Sequence, residues 1–170
     1  KKKINEEFGE MLFTHFGISG PIVLTMSNII NKYENDKIKL SIDLKPALSN
    51  EKLDNRILRD FNKYNNKQIK NGLVDLLPNS LIPVILKLSN IDERKNVNQI
   101  TKEERENLVN VIKDIKLNFT KFRPLEEAIV TSGGVSTLEI NPSTMESKFV
   151  EGLYFAGEIV DIDGDCGGFN

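Results

Sequence analysis

The sequence predicts an α+β fold, with strands at both ends and helices in the middle, on three observations. Glycines 9, 17 and 20 lie near the start, and Gly133, Gly134, Gly152, Gly157, Gly164, Gly167 and Gly168 crowd the end, while Gly72 stands alone between them. Such stretches permit tight turns and close backbone approach. Apolar residues of the middle recur at helical spacing, and Ile38, Leu40, Ile42 and Leu44 alternate with Lys39, Ser41 and Asp43 in the period of a half-buried strand.

In chain order, Gly9 to Phe16 reads as a strand. Gly17 to Pro21 turns into an apolar helix over Ile22 to Ile30, started by Ser19, with Pro21 in the first turn where its missing N–H is harmless. The strand around Leu40 ends at Lys45-Pro46. Leu53, Ile57, Leu58 and Phe61 then lie on one helix face behind a Ser49-Asn50-Glu51 cap. Ile69, Leu73, Leu76 and Leu77 continue the helical pattern to Pro78, and Leu81 to Leu88 form a short helix behind Ser80. Thr101 with Glu104 forms a capping box in front of Leu108, Val111, Ile112 and Ile115. Short strands follow at Leu117 to Phe122, Ala128 to Thr131, Leu138 to Ile140 and Leu153 to Ala156, and the boundary between the two regimes falls near Glu127.

Of the 170 residues 39% are apolar, and 23 Lys and Arg face 25 Asp and Glu for a net charge of −2. This is enough chain for a buried core, and the balance gives no overall electrostatic footprint for nucleic acid or anionic membrane. The expectation is therefore a protein without nucleic-acid or membrane partners. The single cysteine, Cys166, cannot close an internal disulfide, and no Cys/His cluster has zinc spacing, which fits a reducing, cytoplasmic setting. Leu73 to Leu88, the most apolar region, is interrupted by Asp75, Pro78, Asn79, Pro83 and Lys87, so it is no membrane span. The start at Lys1 without an initiator Met, and the equally abrupt end, read as cuts within a longer protein.

Chemistry concentrates in the glycine-rich tail. Ala128 to Ser136 reads as a strand running into Gly133-Gly134 between hydroxyl side chains, where backbone N–H groups can approach a planar ring or a phosphate, or where the chain simply turns. Gly152 to Glu158 reads as a second strand with small residues and an acid at its carboxyl end, the place where open α/β sheets bind ligands. Asp161, Asp163 and Asp165 alternate as in a calcium loop, but Cys166 stands where such a loop needs Gly. His15 is the sole histidine and a weak candidate for proton transfer, set against a purely structural role.

Gly9 to Pro21, Val130 to Val135, Thr144 to Lys148 and Gly152 to Asn170 together resemble the bacterial NAD(P)/FAD-dependent oxidoreductase family of aminoacetone-oxidase type, BaiN-like flavoproteins. The resemblance covers nearly the whole chain in the same order. It implies a fold in which residues 1–126 form an insert domain, with a small β-barrel part (1–48 and 117–126) and a helical bundle (49–116), and residues 127–170 form a C-terminal fragment of the FAD domain.

The G-x-G-x-x-G turn that holds the FAD pyrophosphate in such proteins is absent from these 170 residues. The resemblance therefore implies a piece of a FAD-dependent enzyme passing hydride from NAD(P)H to a small-molecule substrate, the piece by itself inactive and without FAD. The alternative is a binding or substrate-capping module with no cofactor. By the same resemblance Thr131, Ser132, Gly133, Gly134 and Val135 lie near the flavin ring, and Gly157, Glu158 and Asp161 near the ribityl and pyrophosphate portion. Gly167, Gly168, Phe169 and Asn170 match a Gly-Gly-aromatic-Asn step, in which Phe169 replaces the usual Tyr, while Cys166 stands where Thr is more common. Strands left without partners would also allow self-association.

Overall fold

The computed structural model describes residues 3–34, 37–129 and 131–162. The chain divides into two compact units, one made of residues 1–38 with 119–170 and the other of residues 39–118.

The unit 39–118 is closed by a two-stranded antiparallel ribbon. Strand β3 (Lys39–Ile42) pairs with β4 (Ile115–Asn118), from Lys39 opposite Asn118 to Ile42 opposite Ile115. The alternation read from the sequence is realised here, because Leu40, Ile42, Ile115 and Leu117 turn inward while Lys39 and Ser41 face water. β4 occupies 115–118 rather than 117–122. Ile115 belongs to this ribbon, not to the preceding helix, because its partner is Ile42.

Four helices fill the space between the strands: α2 (Asn50–Lys63), α3 (Ile69–Gly72), α4 (Ile82–Leu88) and α5 (Lys102–Lys113), with α1 (Pro21–Ile30) belonging to the other unit. Leu53, Ile57 and Phe61 of α2, Ile85 and Leu86 of α4, and Leu108, Val109 and Ile112 of α5 form one buried cluster with Ile69, Leu73, Leu76, Leu77 and Val97. Burial of this kind stabilises by roughly 1.5–3 kcal/mol per large apolar side chain.

The helical pattern around Ile69 does not continue to Pro78. α3 stops at Gly72, and 73–77 proceed as turns in which the Leu76 and Leu77 N–H groups both donate to the Leu73 carbonyl, at 3.0 and 2.9 Å. The leucines are buried all the same, since packing needs their positions and not a helical ladder. Gly72 is required by space, because a Cβ there would lie 2.9 Å from the Val97 methyl carbon Cγ2. α4 begins after Leu81 with Pro83 in its first turn, so Ser80 is not its cap.

Polar ties fix the helices to one another. Ser49 caps α2, its hydroxyl accepting from the Lys52 N–H at 3.3 Å. Thr101 and Glu104 form the expected capping box of α5. Glu104 also accepts from Lys95 Nζ at 2.7 and 2.8 Å, which holds its carboxyl below the usual carboxylate range, with the Thr101 backbone N–H adding to the effect. Arg105 of α5 grips Asp54 of α2 at 2.6 Å, and buried Asp60 accepts from Arg56 Nε at 2.8 Å. Lys113 at the end of α5 donates to the Lys45 and Leu48 carbonyls, at 3.1 and 2.6 Å, and pairs with Asp43.

In the other unit, β1 (Leu12–Thr14) and β2 (Gly17–Ser19) form a tight antiparallel hairpin where the sequence suggested one strand over 9–16. Helix α1 (Pro21–Ile30) follows, capped by Gly20 and not by Ser19, which is used in β2 opposite Leu12. Gly20 has φ +101, a region hostile to side chains, and a Cβ on it would press on Met11 Cα at 3.1 Å. No strand forms at Leu138–Ile140, where Thr137–Glu139 make a 3-10 turn, nor at Leu153–Ala156, where Tyr154 alone bridges to Glu146. Leu138, Leu153 and Ile159 face solvent. Among the described residues these segments have single-bridge neighbours, too few to build a ladder. No helix among the described residues is long and apolar enough to cross a membrane.

Three stability predictions rest on the capping box and on Ser89, whose buried hydroxyl has no hydrogen-bond partner among the described residues. Thr101→Ala lowers unfolding free energy by about 1 kcal/mol in a denaturant titration. Glu104→Gln keeps the cap but loses the charge pair with Lys95, so it is destabilised at pH 7. Because the folded carboxyl lies below its ordinary 4.5, that stabilisation is present above this value and fades as pH falls through the lower one, so wild type and variant converge in acid. Ser89→Ala removes an orphaned polar group and raises stability by up to ~1 kcal/mol in the same titration.

Candidate functional site

The two tail segments singled out in the sequence lie side by side. Val135 and Val160 form a parallel bridge, in which the Val135 N–H donates to the Ile159 carbonyl at 2.8 Å and the Asp161 N–H donates to the Val135 carbonyl at 2.9 Å. Gly134 and Val135 are thus brought against Ile159, Val160 and Asp161, whereas no contact joins Thr131 or Gly133 to Gly157 or Glu158 among the bonds and bridges of the described residues. Val160 is buried, and so is Ile140, which bridges to Ser147.

Glycine is needed here for a specific reason. Gly134 has φ +144, and a Cβ at this position would run into the Ile159 carbonyl oxygen and lie 3.1 Å from the Asp161 nitrogen. The side chain is missing because another backbone occupies its place. Gly133, at φ +99, and Gly157, at φ +78, differ in that, among the described residues, no atom beyond the glycine and its chain neighbours lies within 4 Å of the position a Cβ would take. Both glycines therefore present bare backbone to open space, the condition for a flat or anionic ligand to approach main-chain N–H groups. Thr131, Ser132, Glu158 and Asp161 are exposed around them.

A second set of turns, from 139 to 155, is bonded within itself. The Glu146 carboxylate accepts from the Gly152 N–H at 2.7 Å, and the Ser147 N–H donates to the Leu153 carbonyl at 2.7 Å. Met145 takes a positive φ of 62 while its own N–H donates to the Asn141 carbonyl at 2.7 Å. This explains in structural terms the Thr144 to Lys148 motif. Sequence reading missed Glu146 as a turn-capping carboxylate; its signal is an acid six residues before an isolated glycine.

His15 lies elsewhere, in the β1–β2 turn, exposed, with its ring edge-on to Phe16 at 5.0 Å between centroids. Phe16 in turn carries Arg123 over its face at 4.6 Å, and Arg123 is held by Glu127. The Gly9 to Pro21 motif is accounted for by packing. A Cβ on Gly9 would lie 2.6 Å from Ile22 Cγ2, and the Ile22 N–H donates to the Glu10 carbonyl, so the chain entering the hairpin lies on the start of α1. Gly167, Gly168, Phe169 and Asn170 lie outside the described residues, as do Asp163, Asp165 and Cys166. Among the described residues no three His, Cys, Asp or Glu side chains are placed to hold a metal ion.

One unit is thus helical and closed by a two-stranded ribbon, and the other contains a glycine-rich parallel pairing. Residues 1–130 match the family described as "HI0933-like protein barrel and H2TH domain". The chain belongs to this family, that of the BaiN-like flavoprotein oxidoreductases.

Among curated proteins it is similar to the 3-dehydro-bile acid delta(4,6)-reductase of Clostridium scindens, with 31% identity over 100% of this chain and 42% of that protein. It is also similar to proteins named ribosomal RNA dihydrouridine synthase. The one from Haemophilus influenzae is 36% identical over 96% of this chain and 39% of its own length, and the one from Escherichia coli 33% identical over 94% and 38%. The chain thus spans about two-fifths of the length of these relatives.

The enforced contact at Gly134 gives a direct test. Gly134→Ala separates the two segments and speeds hydrogen exchange at the Val135 and Asp161 amides by about tenfold or more, whereas Glu158→Ala, at an exposed side chain with ordinary backbone, leaves the bridge in place.

Proposed function

We propose that this chain works as part of a FAD-dependent oxidoreductase that takes hydride from NAD(P)H and delivers it to an organic acceptor. The observation that carries the reading is the parallel pairing of Gly133-Gly134-Val135 with Gly157 to Asp161, bare of side chains on the flanks of Gly133 and Gly157. Family membership supports it, as does similarity to a bile acid reductase and to two ribosomal RNA dihydrouridine synthases.

The open backbone fits a flavin. Thr131 to Val135 would face the ring, and Gly157, Glu158 and Asp161 the ribityl and pyrophosphate portion. When bound, the flavin supplies the two-electron hydride chemistry. The chain's own part is to orient and to stabilise. Main-chain N–H groups at the Gly-Gly turn donate towards negative charge, and a fixed donor of this kind is worth about 2.7–4 kcal/mol where it has been removed from comparable sites. Glu158 accepts from sugar hydroxyls. His15, on its hairpin turn, has no role in this reading beyond structure.

The working protein, purified, carries a flavin absorption spectrum that bleaches anaerobically on addition of NADH or NADPH. Gly133→Ala, which puts a methyl group into the open flank, weakens flavin retention by tenfold or more on dialysis, roughly the value of one main-chain contact. A protein that stays colourless when expressed with excess riboflavin and supplied with FAD overturns the reading and leaves the cofactor-free capping module.

A further inference from the structure

Helix α4 ends in a turn that leaves one polar group stranded. The Ile91 N–H donates to the Leu86 carbonyl at 2.9 Å and the Asn90 N–H to the Lys87 carbonyl at 3.1 Å. These are the paired bonds of a Schellman turn, with Asn90 at φ +56 in the place glycine usually takes. Ser89 sits at the cap, 2% exposed. Its N–H donates to the Ile85 carbonyl at 2.9 Å, and its own carbonyl accepts from Asn107 Nδ2 at 2.7 Å. Only the hydroxyl has no partner among the described residues. Alanine would fill the same cap without the cost of a stranded oxygen, so the hydroxyl calls for a ligand.

Two hollows flank this turn, and Asn90 lines both. The first, of about 600 Å³, has Pro83, Leu86 and Ile91 as its apolar wall, with Lys87, Asp92 and Glu93 beside them. The second, of about 420 Å³, is walled by Ser89 itself together with Glu103, Glu106, Asn107 and Asn110. Those last four stand at i, i+3, i+4 and i+7 of α5, on one face of the helix over about 10 Å of axis. Glu104 also lines this hollow, but Lys95 occupies both of its oxygens. Glu106 is loosely paired, 3.7 Å from Lys102, and Glu103 has no ion pair among the described residues. Residues 39–118 hold 15 Lys and Arg against 11 Asp and Glu, yet five of those 11 acids line the two hollows.

The occupant must be cationic, must donate hydrogen bonds and must lie well on an apolar wall. A metal ion does not fit, because among the described residues no three His, Cys, Asp or Glu side chains are placed to hold one. A phosphate or carboxylate is repelled from both sides. An aliphatic polyamine meets all three demands. Its ammonium groups donate to carboxylate, amide and hydroxyl oxygens, and the methylenes between them cover Pro83, Leu86 and Ile91 as a lysine stem lies along apolar surface.

We infer that the end of α4 and the facing side of α5 bind an aliphatic polyamine, with one ammonium on the Ser89, Glu103 and Glu106 side of Asn90 and another on the Asp92 and Glu93 side. The site lies wholly within residues 39–118 and needs no flavin, so it goes beyond the oxidoreductase reading and stands independently of it.

The test is isothermal titration calorimetry of the purified protein with spermidine at about 150 mM salt. One equivalent binds, about tenfold or more tighter than n-butylamine, because a monoamine leaves one of the two acidic sides unmet. The variant E103Q/E106Q weakens spermidine binding by about tenfold or more. The equal-charge variant E6Q/E7Q, in the other unit, leaves it unchanged. S89A weakens binding severalfold while melting at or above the wild-type temperature, which separates a ligand contact from a folding defect. Thermal melting also confirms that E103Q/E106Q is folded. Equal weakening in the two glutamate variants, wild-type affinity in S89A, or magnesium chloride binding as tightly as spermidine overturns the inference. Tighter binding of a tetralysine peptide than of spermidine also overturns it, by assigning the hollows to the lysines of a partner protein.

Discussion

The pairing of β3 with β4 is the constraint on which the rest of the chain depends. With Lys39 opposite Asn118, eighty residues of helix and turn begin and end at neighbouring points. The chain before and the chain after can then belong to one compact unit, as residues 1–38 and 119–170 do. The strand pair is short, and two strands alone are marginal in water. Its stability comes from the cluster beneath it, to which Ile115 belongs and against which Ile42 and Leu117 pack, and from Lys113, which ties the end of α5 to the carbonyls of the β3–α2 connection. Closing this loop is therefore an outcome of helix packing as much as of strand pairing.

The tail obeys a different logic. Its order comes from a few backbone contacts at positions where side chains are forbidden, with little apolar burial beyond Val135, Ile140 and Val160. Gly134 is the clearest case, because the carbonyl of Ile159 sits where a Cβ would be. Contacts of this kind place backbone N–H groups with precision while leaving the flanks open. A site that must admit a large flat ligand needs that combination, whereas a packed strand would fill the same space.

Legibility from sequence followed the range of the interactions. Ser49 and the Thr101–Glu104 box were readable because a helix start is decided within four residues. The inward faces of α2 and α5 were readable because their period is local. Ser19 misled because its own side chain is a good cap; the pairing of Ser19 with Leu12 put it in a hairpin and left the cap to Gly20. The helix expected to reach Pro78 ended at Gly72, where the approach of Val97 demands glycine and the following leucines are buried equally well in turns. At the candidate site the two glycine segments were legible as separate pieces, and their mutual contact was not.

The sequence by itself determined that Leu53, Ile57, Phe61, Leu108 and Ile112 would be buried, though not that Leu58, Val84 and Leu88 would stay exposed, where two helices start, and that Gly133-Gly134 and Gly157 mark places of unusual backbone. Only the tertiary structure decided that Val135 lies beside Val160, that Gly134 yields its side-chain space to Ile159, and that Glu103 and Glu106 of α5 line one hollow with Ser89. The physical reason is distance along the chain. Periodicity and capping are settled by neighbours a few residues apart, whereas a register between residues twenty-five apart, or the outward face of a helix, is settled by whatever the rest of the core leaves uncovered.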